Sequence, residues 1–358
     1  MAVGLKDVAR LSGVSIATAS RVLTSPHLVQ EATRERVQRA IDTLQYRPSR
    51  VARRLRRDPA RTHLVGLVVP DIQNPFFADL ARGVENVAQE HGYMVFVGNS
   101  DEDADKERNY LELMRAESVD GIILPPTAQV EPALEALARG GIPVVCVDRR
   151  LGGVSLDTVV ADNVRGAREA TEHLIRLGHR RIGFIEGRPH LSTSRERLEG
   201  YRHALQDAGA PFDPTLVRAG DSRQASGFRL ARELLEDTSP AGRPSALLVG
   251  NNLMTLGALG AIRELGLCIP DDVAIIGYDD LPWAPAFDPP LTAVRQPAYE
   301  MGRRATELLL SRVDEPQREP RLVVLEPELV VRRSCGAGRE PFDAARARRR
   351  PTAAVRSA

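Results

Sequence analysis

The sequence predicts two architectures in one chain: a small all-α helix-turn-helix head and, beyond an arginine-rich linker, an α/β body of two doubly wound parallel-sheet subdomains. Three observations predict this. Residues 5 to 44 carry apolar side chains at helical spacing and no strand pattern. From His63 onward, short apolar runs alternate with amphipathic stretches, the signature of parallel strands covered on both faces by helices. The third observation is charge. The 358 residues sum to a formal net charge of +1, yet residues 1–60 carry 12 basic and 5 acidic side chains (+7), residues 61–331 carry 29 and 41 (−12), and residues 332–358 carry 8 and 2 (+6). A basic head on an acidic body points to nucleic acid at one end.

Taken in order, Leu5, Val8, Ala9 and Leu11 mark a first helix, Ser12-Gly13-Val14 breaks it, and Ser15 can cap a second helix reaching Leu23. A third helix runs from about Glu31 to Leu44 on the stripe Val37, Ala40, Ile41, Leu44. Residues 1–47 thus form one small domain. Residues 48–61 make a linker: Pro48 can start a helix, but Ser49 to Leu55 has little to bury and is marginal alone. The body, residues 62–333, has strands at Leu64 to Val69, Tyr93 to Val97, Gly121 to Leu124, Pro143 to Val147, Arg181 to Ile185, Ala246 to Val249 and Val273 to Gly277. Helices are expected over Phe77 to His91, Val164 to Leu177, Leu198 to Ala208 and Met254 to Leu265. Roughly 270 residues exceed one ordinary open sheet, so two subdomains follow, and the short segments after Pro289 imply repeated crossings between them. Residues 334–358, rich in Ala and Arg, lack a core pattern and read as a disordered basic tail.

The composition, 42% hydrophobic and 27% charged, excludes collagenous, disulfide-stapled and mostly disordered classes. Cys146, Cys268 and Cys335 are odd in number and widely spaced, which suggests neither a disulfide framework nor a metal site and fits a reducing cytoplasm. No signal-peptide pattern stands at Met1 to Leu11, and no apolar run reaches the roughly 18 residues of a membrane span.

Leu5-Lys6-Asp7-Val8-Ala9-Arg10-Leu11-Ser12-Gly13-Val14-Ser15-Ile16-Ala17-Thr18-Ala19-Ser20-Arg21-Val22-Leu23 resembles the DNA-reading motif of the LacI/GalR family of bacterial regulators. Tyr46-Arg47-Pro48-Ser49-Arg50-Val51-Ala52-Arg53-Arg54-Leu55 is similar to that family's hinge helix. In such a motif the second helix enters the major groove N-terminus first. Ile16 and Ala17 suit thymine methyls, Arg21 has the reach and fork for guanine, and Ser15, Thr18 and Ser20 offer hydroxyls to phosphates. Leu5 joins this DNA-facing set. By resemblance, Leu55 wedges into the minor groove with Ala52 beside it, and Val51 packs two hinge helices together across a dimer axis. The resemblance therefore implies a homodimer on a pseudopalindromic duplex, with a tetramer left open. Thr24 and Ala19 depart from the family's usual Asn and Val.

The body resembles the same family's effector domain, which shares its fold with periplasmic sugar-binding proteins. The resemblance rests on stretches such as Val69-Pro70-Asp71-Ile72-Gln73-Asn74-Pro75-Phe76-Phe77, Val147-Asp148-Arg149, Arg195-Glu196-Arg197 and Gly277-Tyr278-Asp279-Asp280. Ligands of open α/β sheets bind beyond the carboxyl ends of strands, where Asp71, Asn74, Asp148, Arg149, Asn251 and Asp279 fall. Carboxylates and arginines for hydroxyls, with Phe76 or Phe77 over an apolar ring face, suit a sugar or sugar derivative. By position in the family, Asp148, Arg149, Arg197, Asn251, Asp279 and Gln296 contact the ligand; Asn252 stands where an Asp is usual.

The expected function is a cytoplasmic repressor whose operator affinity is controlled by a small molecule, a sugar or sugar derivative, with no cofactor and no metal. A sugar receptor without a transcriptional role is opposed by the head, and a nucleobase-responsive regulator of the same family by the Asp148-Arg149 pair. An enzyme is opposed by the absence of GxGxxG after a strand, GxxxxGK[ST], GxSxG and HExxH.

Overall fold

The computed structural model describes residues 3–46, 61–127, 131–153, 155–236 and 242–338. The chain divides into two compact units, Met1–His63 and Leu64–Ala358. In the head, α1 (Leu5–Ser12) starts where Asp7 accepts the backbone N–H of Gly4 at 2.9 Å, and it stops at Gly13, whose φ of 64° needs a residue without a Cβ. Ser15 caps α2 (Ile16–Thr24), and α3 (Glu31–Thr43) completes the unit. Val8, Ala9, Ala19, Val22, Val37, Ala40 and Tyr46 form its core. The predicted hinge helix, with Ala52 and Leu55, lies outside the described residues.

The body holds two six-stranded sheets. The first subdomain contains β1 (Leu64–Val69), α4 (Pro75–Glu90), β2 (Met94–Asn99), α5 (Ala104–Ala116), β3 (Gly121–Leu124), α6 (Glu131–Arg139), β4 (Val144–Val147) and β5 (Asp157–Ala161). The chain then crosses to the second: α7 (Asn163–Arg176), β6 (Ile182–Glu186), α8 (Ser192–Asp207), β7 (Val217–Ala219), α9 (Gln224–Leu235), β8 (Ala246–Val249), α10 (Asn252–Glu264), β9 (Ala274–Tyr278) and β10 (Thr292–Arg295). It returns through α11 (Ala298–Asp314) and β11 (Leu322–Leu325) to the first sheet and ends with β12 (Glu328–Val330) in the second. The sheet orders are β11-β5-β4-β3-β1-β2 and β12-β10-β9-β8-β6-β7. The repeated crossings expected after Pro289 are present.

Two expectations need correction. The second sheet is not wholly parallel, because β12 pairs antiparallel with β10, a common way to finish an edge. The tail does not begin at 334: Ser334 and Cys335 are buried, at 1% and 0% exposure. Ser334 Oγ donates to the Ile275 carbonyl at 2.7 Å, and Cys335 Sγ lies 3.2 Å from both Thr292 Oγ1 and His173 Nε2. Two polar side chains in an Arg-rich stretch gave no apolar pattern to read. Residues 339–358 lie outside the described residues.

Apolar helices cover each sheet on both faces. Phe76, Leu80, Val84, Met301 and Leu309 pack on one face of the first sheet, and Leu111, Met114 and Leu134 on the other. Helices α4 and α11 approach so closely that a Cβ at Gly302 would stand 2.1 Å from the Leu80 carbonyl oxygen, and one at Gly83 as close to that of Tyr299. Backbone cannot yield as a side-chain tip can. Gly302→Ala is therefore expected to lower stability by about 1 to 3 kcal/mol, measured as a urea midpoint shift at constant slope; an unchanged midpoint would show that the helices can slide apart freely.

Candidate functional site

On the head, α2 presents Ser15, Ile16, Ala17 and Arg21 outward, while Ala19 and Val22 face the core. Ile16 is 47% exposed, which nothing in the head's packing explains. Arg21 is exposed and makes no side-chain bond among the described residues. Ser15 Oγ accepts the Thr18 backbone N–H at 3.0 Å and shares a hydrogen bond with Thr18 Oγ1 at 2.8 Å. One hydroxyl hydrogen of that pair thus remains for an outside acceptor, where the sequence had assigned both hydroxyls to phosphates. Ser20 is half-buried. Leu5 is half-buried and packs against the head core.

In the body, one cleft between the two subdomains gathers all ten side chains expected to meet a ligand: Asp71, Asn74, Phe76, Phe77, Asp148, Arg149, Arg197, Asn251, Asp279 and Gln296. It holds about 610 Å³ of space, counting its open mouth. Parallel strands place their carboxyl ends on one side, so the residues following β1, β2, β4, β6, β7, β8, β9 and β10 converge there.

Asp148 and Asp279 occupy matching positions after β4 and β9. Each has φ of 66°, and each donates its backbone N–H to the neighbouring strand, to Val159 O at 2.8 Å and Val294 O at 2.9 Å. That left-handed turn directs the side chain into the cleft. Burial pushes the Asp148 carboxyl up to about 6, against the opposing charges of Arg149 and Arg197. Burial likewise raises Asp279, although Arg197, Gln296 and the Asn252 backbone N–H favour its ionised form. Gln296 Nε2 donates to Asp279 Oδ1 at 2.6 Å, leaving its own Oε1 buried without a partner. No hydrogen bond reaches the Asp148 carboxylate among the described residues; Arg149 Nε lies 3.6 Å from it.

Arg197 is held from three sides. Its Nε donates to Asn163 Oδ1 at 2.9 Å, its Nη1 to Gly250 O at 2.6 Å, and its guanidinium lies 3.9 Å from the Tyr278 ring centroid. Asn74 and Asn251 serve as helix caps as well as cleft wall. Asn74 Oδ1 accepts from Phe76 N at 2.9 Å and from Asn252 Nδ2 at 2.8 Å, while Asn251 accepts from Met254 N and donates to Ser222 O, each at 2.8 Å. Phe76 and Phe77 meet edge to face at 5.0 Å and belong to both core and cleft. The bond between Asn252 and Asn74 crosses the cleft, as do Arg223 to Asp101 at 2.6 Å and Arg150 N to Ser192 Oγ at 2.9 Å.

Sequence reasoning missed Glu102, Thr193, Ser194, Asp221, Ser222 and Arg223 on the same wall. Glu102 follows β2, which ends at Asn99 and not Val97, so the strand-end rule could have found it. Thr193 and Ser194 lie in the first turn of α8, which starts at Ser192, six residues before the expected Leu198. Trp283 is 46% exposed and lines neither cleft nor core.

Residues 4–49 match the model of bacterial regulatory proteins of the lacI family, and residues 62–330 that of periplasmic binding proteins and the sugar binding domain of the LacI family. The chain is 35% identical over 331 residues to the HTH-type transcriptional repressor PurR of Aliivibrio salmonicida, covering 92% of this chain and 98% of that one. Among solved structures it is similar to the transcriptional regulator CelR in complex with cellobiose, at TM-score 0.70 and 37% identity over 93% of this chain and 99% of that one. It also superposes on the lac repressor dimer bound to operator and the anti-inducer ONPF, at TM-score 0.80 and 29% identity over 94% and 99%. Among the described residues, no helix is long and apolar enough to cross a membrane.

Proposed function

The chain belongs to the LacI family of bacterial regulatory proteins, as a DNA-binding transcriptional repressor with a ligand-binding domain, and on that premise we propose that it is a cytoplasmic homodimer whose hold on a pseudopalindromic operator is set by a sugar-type effector in the cleft. The observation that carries the effector half is the Asp148 carboxylate, which accepts no protein hydrogen bond among the described residues, in one cleft with Asp279, Arg197 and two aromatic rings. Ligand hydroxyls can supply the hydrogen bonds that the protein does not, while a phenyl face covers the apolar side of a sugar ring. The solved relative carrying cellobiose supports the same class. A ligand that binds the closed cleft better than the open one shifts that equilibrium, and the shift is felt as changed operator affinity.

The homodimer reading is supported by β2. This edge strand leaves Met94 64% exposed and Val97 44% exposed beside Ala78, Ala81 and Tyr93, an apolar strip of the kind a second copy covers. On the head, exposed Ile16 and Ala17 at the start of α2 support base contacts in the major groove.

The test is a gel shift of the full chain on a short palindromic duplex against its scrambled counterpart, with and without cellobiose or ribose as probes and at several salt concentrations. A preference for the palindrome that one of the sugars changes is expected; equal affinity for both duplexes would overturn the operator reading, and indifference to sugars the effector reading. In the same assay Arg21→Ala should cost about 1 to 3 kcal/mol and relax specificity at one base pair. Equal losses on every duplex would assign Arg21 to a phosphate instead.

A further inference from the structure

The cleft wall carries three arginines, and each is already engaged. Arg149 donates Nη1 to Glu102 Oε2 at 3.0 Å and Nη2 to Glu102 Oε1 at 2.5 Å, with both side chains under one-tenth exposed. Arg223 is held by Asp101 across the mouth, and Arg197 by Asn163, the Gly250 carbonyl and the Tyr278 ring. Five carboxylates face these three cations on the wall: Asp71, Glu102, Asp148, Asp221 and Asp279, a formal excess of two negative charges.

Phosphates and carboxylates are recognised by the planar fork of a guanidinium, through two parallel hydrogen bonds. In Arg149 that fork is filled from within the protein. Its occupant is held deliberately: Asp101 and Glu102 are consecutive non-glycine residues at φ of 58° and 59°, a costly backbone state that points one carboxylate at Arg223 and the next at Arg149. Burial opposes the ionised form of Glu102, but the charge and hydrogen bonds of Arg149, with Arg188 and His190 nearby, outweigh it and keep the carboxyl below its ordinary range. An incoming anion would have to displace this carboxylate and then sit beside Asp148 and Asp279.

We propose that Glu102 is a specificity residue which closes the cleft to anionic ligands, so that the effector is an uncharged polyhydroxyl compound and not a phosphorylated or carboxylated one. The inference rests on the reading of the cleft as the effector site. Arg149 is then a positioning residue that holds Glu102.

The experiment compares the full-length wild type with Glu102→Gln and with Glu102→Gln/Arg149→Gln, after circular dichroism has shown each to be folded. The readout is the melting-point response to inorganic phosphate against chloride at matched ionic strength, and to glucose, ribose and cellobiose against glucose 6-phosphate and ribose 5-phosphate. Glu102→Gln frees the fork and is expected to bind phosphate at least about tenfold more tightly than wild type, with the gain lost in the double variant. The wild type should respond to a neutral sugar and to neither phosphosugar. A phosphosugar that stabilises the wild type more than its neutral parent overturns the proposal and leaves the effector reading standing, a comparison that needs no variant. A folded Glu102→Gln without the gain overturns it as well. Failure of every sugar, neutral or phosphorylated, counts against the effector reading itself, and the proposal falls with it.

Discussion

Arg197→Ala is expected to abolish the response to effector and to cost about 3 to 5 kcal/mol of body stability near pH 7.5, the range for removing one partner from a buried set of charges. Arg197 is the cation that both Asp148 and Asp279 face, and all three are buried. Without it, two carboxylates lie in a low-dielectric cleft with only the Glu102-bound Arg149 near. The pH dependence gives the test its sign. A carboxyl whose folded pKa is raised costs nothing below its unfolded value of about 4, and the full penalty is present above the folded value. For Asp148, at about 6, wild-type stability should therefore fall as pH rises between these limits. Removing Arg197 takes away a charge that lowers both pKa values, so the window extends upward and the penalty of the variant should be larger at pH 7.5 than at pH 5. Urea unfolding at the two pH values measures it. A penalty equal at both, or below about 1 kcal/mol, would mean that water enters and screens the pair, and the account of Asp148 and Asp279 as desolvated groups would fail.

The unequal legibility of the sequence has physical causes. Strands buried on both faces are near-continuous apolar runs, which is why β1, β3 and β8 stand where the pattern put them. Cleft-lining positions at strand ends were legible for the same reason, since a parallel sheet converts sequence position into place. What escaped is amphipathic or polar. Helices α5 and α9 show their sheets a narrow apolar stripe, as Leu111 and Met114 or Leu230 and Leu234 do, and are not among the helices named from the sequence pattern. With α9 and the three-residue β7 unseen, Asp221, Ser222 and Arg223 had no strand end to follow. Helical spacing says that a side chain has a face, not whether that face meets the core or the groove, and Leu5 is half-buried against the head core.

Asp157→Asn is expected to cost about 3 to 5 kcal/mol while leaving the effector response of the folded molecules unchanged. Asp157 at the start of β5 is 1% exposed and accepts Arg312 Nε at 2.8 Å, Arg318 Nη1 and Nη2 at 2.7 and 2.8 Å, and the Arg321 backbone N–H at 2.9 Å. It ties the end of α11 and the approach to β11 onto the first sheet. Burial works to raise its pKa, but the arginine hydrogen bonds and the backbone N–H outweigh burial and lower it. The sign is opposite to that of Asp148: this stability is present above about 4 and lost as pH falls through the depressed folded value. Acidifying the wild type should thus first relieve Asp148 and only later break the Asp157 cluster, whereas the Asn variant should lack the second contribution. A variant that keeps the full acid loss, or one whose sugar response disappears, would sink the assignment. Asp148 and Asp279 in the cleft and Asp157 beside β11 are all buried aspartates, and burial acts on all of them in the same direction. Donors separate them. Four protein hydrogen bonds make Asp157 a structural anchor, while the Asp148 carboxylate, with none among the described residues, has lone pairs left for donors from outside the protein.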